Sequence, residues 1–163
     1  RAALGVDLPH GRTYSAVRGG GASVDGVALE PTACTAVGDA LVAISGLPAE
    51  PLGWRQFRTL GAAALDLCAV AEGTLDGFVD CTPSAHGSWD YLGGALVCAE
   101  AGAVVTDAYG RDLVTLDHTA RRTPVAAATP ALLDSLVEAR RRVGTDDGRR
   151  LLGGISRPAR RAE

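Results

Sequence analysis

Between Ser88 and Gly102 the chain reads Ser-Trp-Asp-Tyr-Leu-Gly-Gly-Ala-Leu-Val-Cys-Ala-Glu-Ala-Gly, and this run constrains the fold more than any other. Ser88 suits a helix N-cap, residues 89–101 a helix, and Gly102 its stop. Asp90 then falls in the first turn, where free backbone N–H groups and the helix dipole favour an anion by roughly 0.3–1 kcal/mol. Helix-start carboxylates of that kind are common, and spacing alone assigns this one no further role. Gly93, Gly94 and Ala95 add a second constraint, because they let another backbone approach the helix closely. Tight packing at a helix mouth is what a rigidly held ligand requires.

Around this helix, strands and helices alternate. Residues 2–7 read as a strand, Leu8-Pro9-His10-Gly11 as a turn, and residues 12–18 as the returning strand. Gly19, Gly20 and Gly21 read as a bend; Ser23 and Val24 break the Gly-x-Gly-x-x-Gly spacing of a phosphate cradle. Residues 40–45 suit a buried strand. From residue 56 to 72, Leu60, Ala64, Cys68 and Ala71 recur at helical spacing, and Gly73 supplies the stop. Residues 75–80, 103–106 and 124–128 read as strands. Thr129 caps and Pro130 starts a last helix, with Leu132, Leu133, Leu136 and Val137 on one apolar stripe. The alternation predicts layered α/β architecture.

Composition removes several function classes. A chain of 163 residues suits one domain. With aromatics at 4%, aliphatic side chains and alanine must fill its core. No apolar run nears the roughly 20 residues that span a bilayer, and the first residues do not read as a signal peptide; the expected setting is cytoplasmic, without a membrane partner. Lysine, asparagine and methionine are absent. Without lysine there is no Walker-A loop and no Schiff-base chemistry. Cys34, Cys68, Cys81 and Cys98 lie far apart, against a zinc site and in favour of free thiols. Arg1 stands where an initiator methionine would, so the expectation is a partial chain.

Several segments, taken together, resemble the inositol monophosphatase family. Trp89, Asp90, Gly94, Glu100, Ala101 and Gly102 match its Trp-Asp, small-residue, Glu-Ala-Gly-Gly signature, with departures at Leu92, Gly93 and Ala103. Arg58-Thr-Leu-Gly-Ala-Ala-Ala-Leu-Asp-Leu-Cys68 is similar to its Arg-x-x-Gly-Ser-Ala-Ala-x-x-x-Cys segment, with Ala62 in place of the hydroxyl residue. The segment from Ala71 to Asp80 resembles its Ala-x-Gly-x-x-Asp-x-Tyr strand, and that from Tyr14 to Gly26 its glycine-rich hairpin. The likeness runs in order over residues 1–140.

The resemblance implies a layered α/β/α sandwich of the sugar-phosphatase type and Mg2+-dependent hydrolysis of a phosphate monoester on an inositol, sugar or nucleotide. Nucleotide 3′-phosphatase and fructose-bisphosphatase activities are alternatives within it. It implies Asp90 as a metal ligand, Asp80 as an acid accepting hydrogen bonds from substrate hydroxyls, and Gly61 and Ala63 as backbone approaching the sugar. Packing alone would account for Ala63 equally well. It also implies a homodimer among the expected assemblies. The family's other metal acids, a glutamate followed by Asp-Pro-x-Asp-Gly-Ser/Thr, have no counterpart in these residues. The expectation is therefore the C-terminal part of such a phosphatase domain over residues 1–142, inactive alone. The other reading is a non-catalytic, truncated relative that binds or assembles.

The remaining charged residues carry less. Glu100, ten residues from Asp90, lies about 15 Å along a helix and reads as structural. His86 reads as a loop histidine at the border of the site, more often simply exposed, and His10 and His118 as turn residues. From Arg140 onward there are eight arginines against three acids. Residues 143–163 read as a disordered, solvated basic tail, and nucleic acid is not the expected partner.

Overall fold

The computed structural model of the protein describes residues 1–82 and 84–143. The tail expected over 143–163 lies, beyond Val143, outside the described residues.

The first sheet is an antiparallel meander of Ala2–Asp7 (β1), Arg12–Val17 (β2), Gly21–Val24 (β3) and Val27–Ala28 (β4). Strand alternation puts Tyr14, Ala16 and Val24 inside and leaves Leu4, Val6 and Val17 exposed. Val24 pairs with Val27 across Asp25-Gly26, and both turn residues have positive φ (49° and 83°). That is the primed hairpin turn for which Asp-Gly is suited. The triple glycine is a bend, as expected. Its N–H groups do face an anion, but the anion is the protein's own. The Glu100 carboxylate accepts from Gly19 N–H (2.9 and 3.0 Å) and from Gly21 N–H (3.1 Å). Glu100 thus staples hairpin to helix, in keeping with its structural reading.

The second sheet has Leu41–Ser45 (β5), Gln56–Arg58 (β6), Gly77–Asp80 (β7), Val104–Asp107 (β8) and Pro124–Ala127 (β9) in the order β6-β5-β7-β9-β8. β5 runs parallel to β6 and β7, and β9 runs antiparallel to β7 and β8. β7 and β9 are buried along their whole length, as strands covered on both faces must be.

Three α-helices complete the fold of the described residues: Ala63–Glu72 (α1), Ser88–Ala101 (α2) and Pro130–Val143 (α3). α1 and α2 lie side by side between the sheets, α2 against β1, β2 and β3, and α3 packs on β7, β8 and β9. The fold is layered α/β. Gly94 makes the α1–α2 contact possible, since a Cβ there would lie 2.7 Å from Leu67 Cβ and 2.9 Å from the Ala64 carbonyl. Gly93 faces open space, so only one of the two central glycines serves close approach.

The two boundaries that shape the site differ from the sequence reading. Residues 56–58 form an edge strand, and the helix starts only at Ala63. Gly61, at φ 87°, breaks the run, and Leu60, counted on the helical stripe, is exposed. At α2 the cap is Gly87 and not Ser88. Trp89 folds back so closely that a Cβ on residue 87 would sit 2.3 Å from its ring. The last helix is capped as expected, with Thr129 Oγ1 accepting from Leu132 N–H at 3.3 Å.

Candidate active site

Two helices begin side by side, α1 after Gly61-Ala62 and α2 after His86-Gly87, and their mouths enclose an open cleft of about 450 Å3. Its walls are residues 61–64 on one side and Ala85, His86, Trp89 and Asp90 on the other. Three of the four residues marked in the sequence therefore meet: Gly61, Ala63 and Asp90. The positive φ of Gly61 turns the chain into the cleft without a side chain in the way. Asp90 Oδ2 accepts from Gly87 N–H at 2.9 Å. That bond fixes the carboxylate at the helix mouth, and Oδ1 receives no donor from the described residues.

The fourth residue stands behind the wall. Asp80 ends β7 fully buried and does not line the cleft. Its Oδ1 accepts from the Thr82 N–H (2.9 Å) and hydroxyl (2.5 Å). Its Oδ2 meets His86 Nδ1 at 2.8 Å, so Asp80 reaches the cleft only through an imidazole.

His86 departs from the expected exposed loop residue: its side chain is 12% exposed. The hydrogen bond to Asp80 raises its pKa, against the opposing pull of burial, and the charges of Asp80, Asp90 and Asp66 add to the rise. Asp66, on the α1 side, was not singled out in the sequence. It is 1% exposed, and its Oδ1 has no hydrogen-bond partner, alone in this among the buried side-chain oxygens and nitrogens of the described residues. Burial pushes its pKa up to about 6, with His86 opposing. The available signal was its place one helical turn before buried Val70, an acid on an apolar face. Above the cleft, Trp89 is exposed, with the Arg121 guanidinium 4.9 Å from one ring centroid and His118 at 4.8 Å.

As a metal centre, the cleft offers one oriented carboxylate. No group of three histidine, cysteine or acidic side chains converges on a metal position among the described residues. Magnesium nonetheless fits a carboxylate of this kind, since it retains waters and is held through one or two carboxylates together with substrate phosphate. A larger hollow of about 670 Å3 between β8 and α3 is lined by Asp107, Asp134 and Glu138 together with Arg141 and Arg142, a mixed-charge groove.

The model of the inositol monophosphatase family matches residues 6–145. The chain belongs to that family. Inositol monophosphatase 3 of Solanum lycopersicum is 42% identical over 85 residues, 52% of this chain and 29% of the relative. The inositol-1-monophosphatase of Mycobacterium leprae is 37% identical over 117 residues, 61% of this chain and 39% of the relative. Among solved structures, Mycobacterium tuberculosis SuhB superposes with a TM-score of 0.69 at 31% identity, over 88% of this chain and 59% of that one. A Pyrococcus horikoshii protein described as similar to inositol-1 monophosphatase gives 0.74 at 25% identity, over 85% and 56%. The chain thus spans little more than half the length of these family structures. The sandwich layering expected from the resemblance is the fold of these neighbours.

Proposed function

We propose that the protein is a Mg2+-dependent phosphate monoester hydrolase acting on an inositol phosphate or a related sugar or nucleotide phosphate. The observation that carries this reading is the cleft itself: Asp90 held at a helix mouth by Gly87 N–H, facing the bare backbone of Gly61 and Ala63. In this reading Asp90 is a metal ligand, Gly61 and Ala63 border the substrate, and Asp80 belongs to the substrate site. When bound, magnesium would supply charge neutralisation at the phosphoryl group and activation of water. The protein's own groups orient and exclude. Asp90 holds its position through the capping bond, and the α1–α2 contact at Gly94 keeps the two mouths in register.

Magnitude limits what these residues can do alone. Phosphate monoester hydrolysis is accelerated by up to about 10²¹-fold in enzymes, and a single metal acid does not gather the charge that requires. The 163 residues alone are therefore expected to release no measurable phosphate from myo-inositol 1-phosphate. Magnesium-dependent turnover above an Asp90→Ala control would reverse that expectation. The metal assignment is tested separately. Mg2+ titration should shift the backbone amide resonances of Gly87, Asp90 and Tyr91, and Asp90→Asn should weaken this response at least roughly tenfold. Equal responses in both proteins would remove Asp90 as a ligand.

A second reading, a non-catalytic relative with a binding or assembly role, is favoured by one feature: the Asp-Pro-x-Asp-Gly acids have no counterpart in these residues. Loss of the magnesium response would favour it. The four unpaired thiols suit the reducing, cytoplasmic setting inferred from the sequence. No helix of the described residues is long and apolar enough to cross a membrane.

A further inference from the structure

A carboxylate that reads substrate hydroxyls must present an oxygen to them, and Asp80 presents none. Both of its oxygens are taken inside the protein, by Thr82 and by His86. An ionised carboxylate only accepts hydrogen bonds, so the contact at 2.8 Å places a proton on His86 Nδ1. The ring nitrogen left for the cleft is Nε2.

His86 is also unusually well fixed for a loop residue. Its backbone pairs with that of Arg122 in both directions (3.3 and 2.9 Å). Its ring stands edge-on to Phe78 with centroids 6.4 Å apart. Asp80 sets its plane and tautomer. Support from backbone, ring edge and buried carboxylate together is what holds a functional side chain within a narrow geometry.

We propose that His86 is the residue that contacts the hydroxyl-bearing part of the substrate, and that Asp80 is a positioning residue acting through it. This rests on the phosphatase reading above. The charges around His86 select the ligand chemistry. Asp80 from β7 contacts the imidazole directly at 2.8 Å, and the negative charges of Asp90 on α2 and Asp66 on α1 also act on it. With Mg2+ at Asp90, the charge left beside the ring is that of Asp80 and Asp66. It disfavours an anion at Nε2 but admits a neutral hydroxyl, which can donate to the imidazole or accept from the imidazolium. A carboxylate can bridge two neighbouring hydroxyls, whereas one nitrogen engages a single hydroxyl. The subsite therefore reads one position of a polyol.

The test is nitrogen-15 NMR of the intact chain, simplified by its three histidines, with the His86 signals identified by their loss in His86→Gln. The probes are myo-inositol, which carries hydroxyls and no phosphate, and inorganic phosphate, both added with Mg2+ present. The free protein should show His86 protonated on Nδ1, and Asp80→Asn should abolish that preference. Myo-inositol should shift His86 Nε2, and Asp80→Asn should weaken the binding roughly tenfold. Inositol shifts confined to the Gly61 and Ala63 amides, a His86 response to phosphate in place of inositol, or no cleft response to inositol would each overturn the proposal. Should Asp80→Asn unfold, His86→Gln decides: loss of the inositol shifts at Gly61 and Ala63 supports the contact, and their retention overturns it. Failure of the phosphatase reading shows elsewhere, as a missing Mg2+ response at Asp90 with the inositol response at His86 intact.

Discussion

Two aspartates in this molecule are equally hidden and behave in opposite ways. Asp107, at the end of β8, and Asp66, in α1, are each 1% exposed. Asp107 accepts five hydrogen bonds. Oδ1 takes the N–H groups of Tyr109 (2.9 Å) and Arg111 (3.3 Å) and Arg111 Nε (2.8 Å). Oδ2 takes Arg111 Nη2 (2.6 Å) and Thr123 N–H (2.8 Å). Burial pulls its pKa up, yet Arg111 and the backbone donors hold it below the usual range. Asp66 has an oxygen without any donor, and burial takes its pKa up to about 6. Depth does not decide the charge of a carboxylate; its partners do. The loop after β8 uses its acid for structure, whereas α1, whose first residues wall the cleft, keeps a buried one with capacity left over.

The largest effect should come from breaking the saturated side. Asp107→Ala leaves the Tyr109 and Thr123 N–H groups without their acceptor, while Arg111, 35% exposed, can turn to water, and is expected to lower stability by about 3 kcal/mol. Urea midpoints at neutral pH measure it, and a loss below about 1 kcal/mol would mean that water replaces the carboxylate there. The sign with pH follows from the depressed pKa. Asp107 contributes above its unfolded value and loses that contribution as pH falls through the folded one, so wild type and variant should converge in acid.

The second effect tests what keeps water from the unsaturated side. Ala64 and Leu67, the residues nearest a side chain placed at Gly94, flank Asp66 on α1, so a shift of α1 away from α2 moves Asp66 with it. Gly94→Val should push the helices apart and lower stability by about 2–3 kcal/mol. It should also return the Asp66 pKa toward the ordinary carboxylate range as water enters. A normal-looking stability with an unchanged Asp66 titration would show that the helix contact is not what buries the acid.

These same residues show what was legible in the sequence and what was not. Asp90 at a helix mouth and the strand–helix alternation follow from local signals: capping, glycine stops and periodicity. Gly61 and Ala63 were marked only through the family resemblance. The misplaced start of α1 has a local cause as well, since Leu60 keeps the helical spacing while the positive φ of Gly61 ends it. His86 and Asp66 could not be read in the same way. The imidazole gains its meaning from Asp80, six residues earlier and on another element, and from an Arg122 backbone thirty-six residues later. Asp66 left one local mark, an acid on the apolar face of α1, but what distinguishes it is a partner it lacks, and a missing donor leaves no mark on the chain. Glu100 lies between these cases, because its acid was visible but its partners, the Gly19 and Gly21 N–H groups, were not.

The smallest effect separates the two aspartates most cleanly. Asp66→Asn keeps the side chain's shape and removes its charge. The folded pKa of about 6 lies above the ordinary 3.8, so the native state holds the proton more tightly than the unfolded chain. Its stabilising share is complete below the unfolded value and is lost as pH rises through about 6. At neutral pH the ionised acid therefore weighs against folding. A shift of this size corresponds to about 3 kcal/mol at most, and an amide that still lacks a partner gives back about 1 kcal/mol. The variant should thus be more stable than wild type by about 1–2 kcal/mol at pH 7 and no more stable at pH 4. Paired urea titrations at the two pH values measure the difference. A gain that stays constant with pH would mean that Asp66 titrates normally and that the contrast with Asp107 is one of packing alone. A gain that vanishes in acid, together with a weaker inositol response at His86, would show a carboxylate kept at the expense of stability because the cleft uses its charge.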